Sequence, residues 1–143
     1  MSILPPEFVI EATLKIGVIY KFTAPELITT EIPHYFVVVA IEDETNYLCV
    51  CTTQLNSQLN YVQKKGYDAD TLAYLKPTSD NGFTQDTYIN CNDYHTISKK
   101  ALIEKVKTKT FEITGNLNED EYKIIKESIN LSYVNDIPKN LLP

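Results

Sequence analysis

The apolar positions of this chain fall mostly into short runs of strand character, and only near the end into a stripe of helical period. Ile16-Gly17-Val18-Ile19-Tyr20-Lys21-Phe22 is rich in β-branched and aromatic residues and is bounded by Pro25, which predicts a first strand. Ala24 to Pro33 reads as a loop, with Pro33 where a strand tolerates proline, just before it begins. His34 to Ile41 is almost continuously apolar, the pattern of a central strand covered on both faces. The acidic turn Glu42-Asp43-Glu44-Thr45-Asn46 joins it to a strand over Tyr47–Thr53 as a hairpin.

From Gln54 to Lys65 the pattern suits a short helix or a strand, and Gly66 ends the element either way. Leu72-Ala73-Tyr74-Leu75 predicts a strand stopped by Pro77, Ser79-Asp80-Asn81-Gly82 a turn, and Thr87–Cys91 a further strand. Ser98 is placed to cap a short helix from Lys99 to about Lys105. Lys109 to Thr114 alternates as a short strand, which Gly115 is expected to break. Asn118-Glu119-Asp120-Glu121 has the form of a capping box, and Tyr122, Ile125 and Ile129 then make one apolar stripe. Residues 1–13 read as an irregular, proline-containing arm and residues 132–143 as a C-terminal tail. With no repeat or linker, the expectation is one domain over 1–143. Its class is mainly β with a C-terminal helix (α+β), a small curled antiparallel sheet or barrel.

Composition supports a packed domain: 143 residues, 43% hydrophobic and 22% charged. No apolar run approaches the roughly 20 residues that cross a bilayer. Met1 to Glu7 lacks a basic region and a long apolar stretch, so no secretory signal and no membrane is expected, and the cytoplasm is the expected location. Three cysteines are an odd number, and Cys49 and Cys51 are too close on one strand to bridge each other. They are expected as reduced, buried thiols.

The net charge of −6 narrows function, because all 13 basic residues are lysines. Broad nucleic-acid binders use arginine for bidentate phosphate and guanine contacts and an overall positive field. The chain is therefore poorly suited to broad RNA or DNA binding, and DNA is not expected as a partner. A local lysine patch remains in Lys99, Lys100, Lys105, Lys107 and Lys109.

Several short motifs resemble the MazF/PemK family of toxin–antitoxin proteins. Gly17-Val18-Ile19-Tyr20 is similar to that family's glycine-led first strand, His34 through Val39 to its second, and Leu48 through Gln54 to its third. Ile97-Ser98-Lys99-Lys100-Ala101-Leu102 and Gly115-Asn116-Leu117-Asn118-Glu119-Asp120-Glu121 resemble its closing pattern, so the likeness spans about Ile16 to Leu131. The resemblance implies an SH3-like barrel, a homodimer, an antitoxin protein as partner, and cleavage of single-stranded RNA without a cofactor or metal. It also implies a threonine at the scissile phosphate, which carries over to Thr52. The family's arginine at the head of the second strand does not carry over, for His34 stands there, and an insertion separates Leu102 from Gly115.

RNA cleavage of this kind needs a base for the 2′-hydroxyl, an acid for the leaving oxygen, and donors to the phosphorane. His34 and Thr52 are the catalytic candidates, with His95 as a second acid/base if the fold brings it to the same place. Thr53, Gln54, Lys99 and Lys100 are candidates for holding the RNA. Each has a plain alternative. A histidine at a strand start is commonly a hydrogen-bonded structural residue, threonine is a strong strand residue, and a lysine run is commonly a solvated face. Cys49, Cys51, Cys91 and His95 would supply a Cys₃His zinc site, though their spacing is not that of a zinc knuckle and core thiols are the simpler expectation. The inert alternative for the whole chain is a dimeric protein-binding module without catalysis.

Overall fold

The computed structural model describes residues 4–143. Its frame is one antiparallel sheet built from β1 (Val18–Phe22), β2 (His34–Glu42), β3 (Thr45–Thr52), β4 (Leu72–Leu75), β5 (Thr87–Asn90), β6 (His95–Ser98) and β7 (Glu112–Asn116). The strand order is β4-β5-β3-β2-β1-β7, and β6 pairs with β3 beside β5. Four helices surround it: α1 (Pro6–Thr13), α2 (Leu55–Lys65), α3 (Lys99–Val106) and α4 (Glu119–Leu131). The sheet curls until the turn after β4 reaches β7, where the Asn116 N–H donates to the Asp80 carbonyl at 2.8 Å. This is an α+β fold, one seven-stranded sheet with helices packed on it.

The unbroken apolar run of β2 is explained by two cores, one on each face. Val37, Val39 and Ala40 pack with Cys49, Cys51, Ile89, Ile125 and Ile129 under α4. Phe36 and Val38 pack on the other face with Ile10, Tyr20, Phe22, Leu48 and Leu102, covered by α1 and α3. The hairpin between β2 and β3 turns on Asp43, whose φ of 53° supplies the left-handed residue a tight turn demands. A bulge at Val39 interrupts the β2–β3 register, and the Val39 carbonyl accepts the Tyr122 hydroxyl of α4 at 2.8 Å.

At several places the structure differs from the sequence reading or settles what it left open. The N-terminal arm is a helix from Pro6, because proline is at home in a first turn, where its missing N–H has no partner to lose. The element read as helix or strand is the helix Leu55–Lys65, closed by Gly66 in the left-handed region at φ 72°. His95–Ser98 is a strand, invisible in the sequence because Ile97 is its one apolar residue. Gly115 continues β7 instead of breaking it; a Cβ there would lie 2.3 Å from the Asp80 carbonyl oxygen, so the glycine admits the neighbouring turn. Residues 132–143 pack down as well, with Ile137 and Leu142 buried in the α4 core.

The Asn118 capping box is present, with Asn118 Oδ1 accepting the Glu121 N–H at 2.8 Å and Glu121 Oε1 accepting the Asn118 N–H at 3.0 Å. Among the described residues no helix is long and apolar enough to cross a membrane.

Candidate functional site

The start of β2 and the end of β3 lie side by side. The recorded β2–β3 ladder ends at Tyr35 and Cys51, and His34 and Thr52 stand one step beyond it. Alternation along a strand therefore puts His34 and Thr52 on one face, that of Phe36 and Val50, with Tyr35 and Cys51 on the other. A cavity of about 370 Å³ wraps this corner and takes lining from both faces. His34, Thr52, Thr53 and Gln54 all line it, joined by Tyr35, Phe83, Thr84, Gln85 and Thr87. No lysine is among its lining residues.

The imidazole of His34 meets Phe36 edge-on, with ring centroids 6.5 Å apart; its Nε2 is buried without a hydrogen-bond partner among the described residues, which leaves Nδ1 as the nitrogen to meet a substrate. Burial without a compensating charge lowers the His34 pKa from its ordinary 6.5, so the ring is neutral at pH 7 and able to take a proton. Thr52 Oγ1 accepts the Gln54 N–H at 3.1 Å, a local turn that fixes the side chain. A hydroxyl used as acceptor keeps its own proton to donate. The pair thus offers one base and one oriented donor.

His95 is elsewhere. It pairs with Leu48, four residues before Thr52 along β3, about 13 Å at the rise of a strand. It lines a separate cavity of about 200 Å³ with Val50, Gln58, Asn90 and Asp93. One linkage held at His34 and Thr52 is out of its reach. Lys99 and Lys100 begin α3 and line neither cavity; Lys99 is ion-paired with Glu11, and Lys105 and Lys107 with Glu26 and Glu104. The lysine run is largely neutralised by its own neighbours.

The cysteines lie in the α4 core, on the face of the sheet opposite His95, whose partner Leu48 belongs to the other core. Burial pushes the Cys91 thiol up to about 12 and those of Cys49 and Cys51 well up. Protonated thiols facing away from the imidazole do not form a Cys₃His donor set.

A cation passed over in the sequence is Lys21. It pairs with Tyr35 across β1–β2 and with Glu112 across β1–β7. Its ammonium lies 5.3 Å from the centroid of the Tyr35 ring, a wall of the cavity, and 3.4 Å from Glu112 Oε2. Its pKa is held above the ordinary value, chiefly by Tyr35 and then by Glu112. The signal was a lone lysine within an apolar strand, readable only once the strand register is known.

A curled sheet of this order with a capped helix packed on one core is a MazF-like fold of the α+β class. The likeness is to the solved structure of the Mycobacterium tuberculosis toxin MazF-mt6, with 13% identical residues and a TM-score of 0.53, over 84% of this chain and 99% of that one. At that identity the similarity is one of fold. No family model and no curated protein sequence matches the chain.

Proposed function

We propose that this protein is a toxin-like endoribonuclease that cleaves single-stranded RNA with its own side chains. The observation that carries the reading is the shared cavity of His34 and Thr52 at adjoining strand ends. Neutral His34 takes the proton of a ribose 2′-hydroxyl, and the freed oxygen attacks the adjacent phosphorus. Thr52 donates to a non-bridging oxygen as charge develops there. The P–O5′ bond breaks, the 5′-oxygen takes a proton from water, and a 2′,3′-cyclic phosphate remains. Thr53, Gln54 and Gln85 offer amide and hydroxyl groups to the bases beside the linkage, and the Lys21 ammonium stands against Tyr35, another wall of the cavity. The MazF-like fold supports the further expectations of a cytoplasmic homodimer and a protein antitoxin as partner.

The test is cleavage of a mixed single-stranded RNA by wild type, His34→Ala and Thr52→Ala. Loss of at least a hundredfold in rate in both variants is expected; unchanged cleavage in both overturns the assignment. A second reading, a dimeric module that binds protein without catalysis, is favoured by the net charge of −6 and the absence of any lysine lining the cavity. Expression in a bacterial host separates the two, since a toxin arrests growth and an inert module does not.

A further inference from the structure

The sheet carries the face of Thr52 onward into two tyrosine rings, one half-buried and one exposed. Thr52 pairs with Tyr88 across β3–β5, and Tyr88 pairs with Tyr74 across β5–β4. Paired residues of an antiparallel sheet share a face, so Thr52, Tyr88 and Tyr74 form one row, on the side that His34 also faces. The two tyrosine rings are stacked, with centroids 5.6 Å apart and planes inclined by 24°. Tyr74 is 41% exposed on the edge strand and Tyr88 half-buried. The Tyr74 hydroxyl donates to Asp86 Oδ1 at 3.0 Å, which anchors the outer ring.

We infer that Tyr88 and Tyr74 are a stacking platform for the bases that flank the linkage held by Thr52 and His34. The inference rests on the function proposed above and adds its base subsite. Adjacent strands are about 4.8 Å apart, so the backbone of Tyr88 runs about 5 Å from that of Thr52 and the backbone of Tyr74 about 10 Å. Sheet-borne aromatics spaced in this way take successive unstacked bases of single-stranded RNA, whatever their sequence, because every base has a π-face. The carboxylate of Asp86 at the tip of Tyr74 repels phosphate, so this end of the row suits a base and not the backbone. Tyr20 and Tyr122, by contrast, are engaged inward, with Thr13 and with the Val39 carbonyl.

The chain has no tryptophan, so Tyr74→Trp installs a single indole reporter. Titration with a short 2′-O-methyl RNA, which resists cleavage, is expected to quench its emission while affinity is kept. Tyr74→Ala and Tyr88→Ala are expected to raise Kd by about 5- to 150-fold, and Tyr74→Phe to leave it near wild type. Circular dichroism checks that each variant folds. Unchanged indole emission in a variant that binds RNA by anisotropy overturns the platform alone, as do alanine variants that bind like wild type. Absence of RNA binding by the wild type overturns the platform together with the proposed function.

Discussion

The Asn81 side-chain amide donates to Glu121 Oε2 at 2.8 Å, joining the turn after β4 to the first turn of α4. Asn81 is fully buried and also donates to the Lys76 carbonyl, while its Oδ1 accepts the N–H groups of Thr78 and Phe83. Glu121 meanwhile caps the helix through its other oxygen. Removing one partner leaves buried groups without hydrogen bonds, at about 1–3 kcal/mol. Asn81→Ala and Glu121→Ala are therefore expected to lower the urea midpoint, and the double variant to lose less than the two single losses together. Equilibrium unfolding of the three variants measures this coupling.

The same corner depends on Gly115. An added Cβ would meet Asp80 and Asn81 backbone atoms at 2.3 and 2.5 Å, and backbone cannot swing aside as a side-chain tip can. Gly115→Ala is expected to destabilise by about 1–3 kcal/mol, the cost of overpacking. Gly66→Ala meets nothing within 4 Å, though its φ of 72° leaves some backbone strain. Thermal unfolding should show the larger loss at Gly115.

Cys49, Cys51 and Cys91 all sit in the core beneath α4 with raised pKa values, the thiol form being favoured by desolvation. The thiolate is the reactive species, so at pH 8 the folded protein is expected to show no fast reaction with a chromogenic disulfide reagent. All three thiols should react once denaturant is added. A fast thiol in the native protein would mean that this core opens readily.

The β2–β3 hairpin, the Asn118 cap and the stripe of α4 were legible in the sequence, because each rests on local chemistry: an unbroken apolar run, a capping spacing, a helical period. That the strand ends bearing His34 and Thr52 adjoin was legible too, since a hairpin fixes which ends lie side by side. The position of His95 was not legible, because β6 carries too little apolar signal to declare itself a strand, and its register with Leu48 sets it along β3 from Thr52. Lys21 and the Tyr74–Tyr88 stack depend on β1–β2 and β5–β4 registers between segments that no short turn ties together. Such non-local pairings leave no mark in spacing. The lysines of α3 looked like a patch only because Glu11 and Glu26 are distant in sequence.

Lys21 supplies the next prediction. Its partner Glu112 is mostly exposed, so the ion pair is worth little and an RNA phosphate can replace it. Lys21→Met is expected to weaken RNA binding and to reduce the slope of log K against log salt by about 0.7, the value of one single-strand phosphate contact. Lys21→Arg should retain both, and Glu112→Gln should tighten binding by freeing the ammonium. Anisotropy titrations at three salt concentrations read all of these, and an unchanged slope in Lys21→Met removes the lysine from the site.

The depressed pKa of His34 has two consequences whose signs can be worked out separately. If the neutral ring is the base, the acid limb of the kcat/KM profile falls below the ordinary 6.5. For stability, the unfolded chain binds this proton more tightly than the folded one. The His34 contribution is therefore fully present above about 6.5 and is lost as pH falls through the lower folded value. His34→Asn has no such proton to gain, so acidification from pH 7 to pH 5 should cost the variant less stability than the wild type. Urea midpoints of both proteins at the two pH values isolate this difference from the carboxylates they share. A kcat/KM limb above 6.5, or a variant that loses more stability than wild type on acidification, would show an imidazolium stabilised in the fold and overturn the depressed pKa of His34.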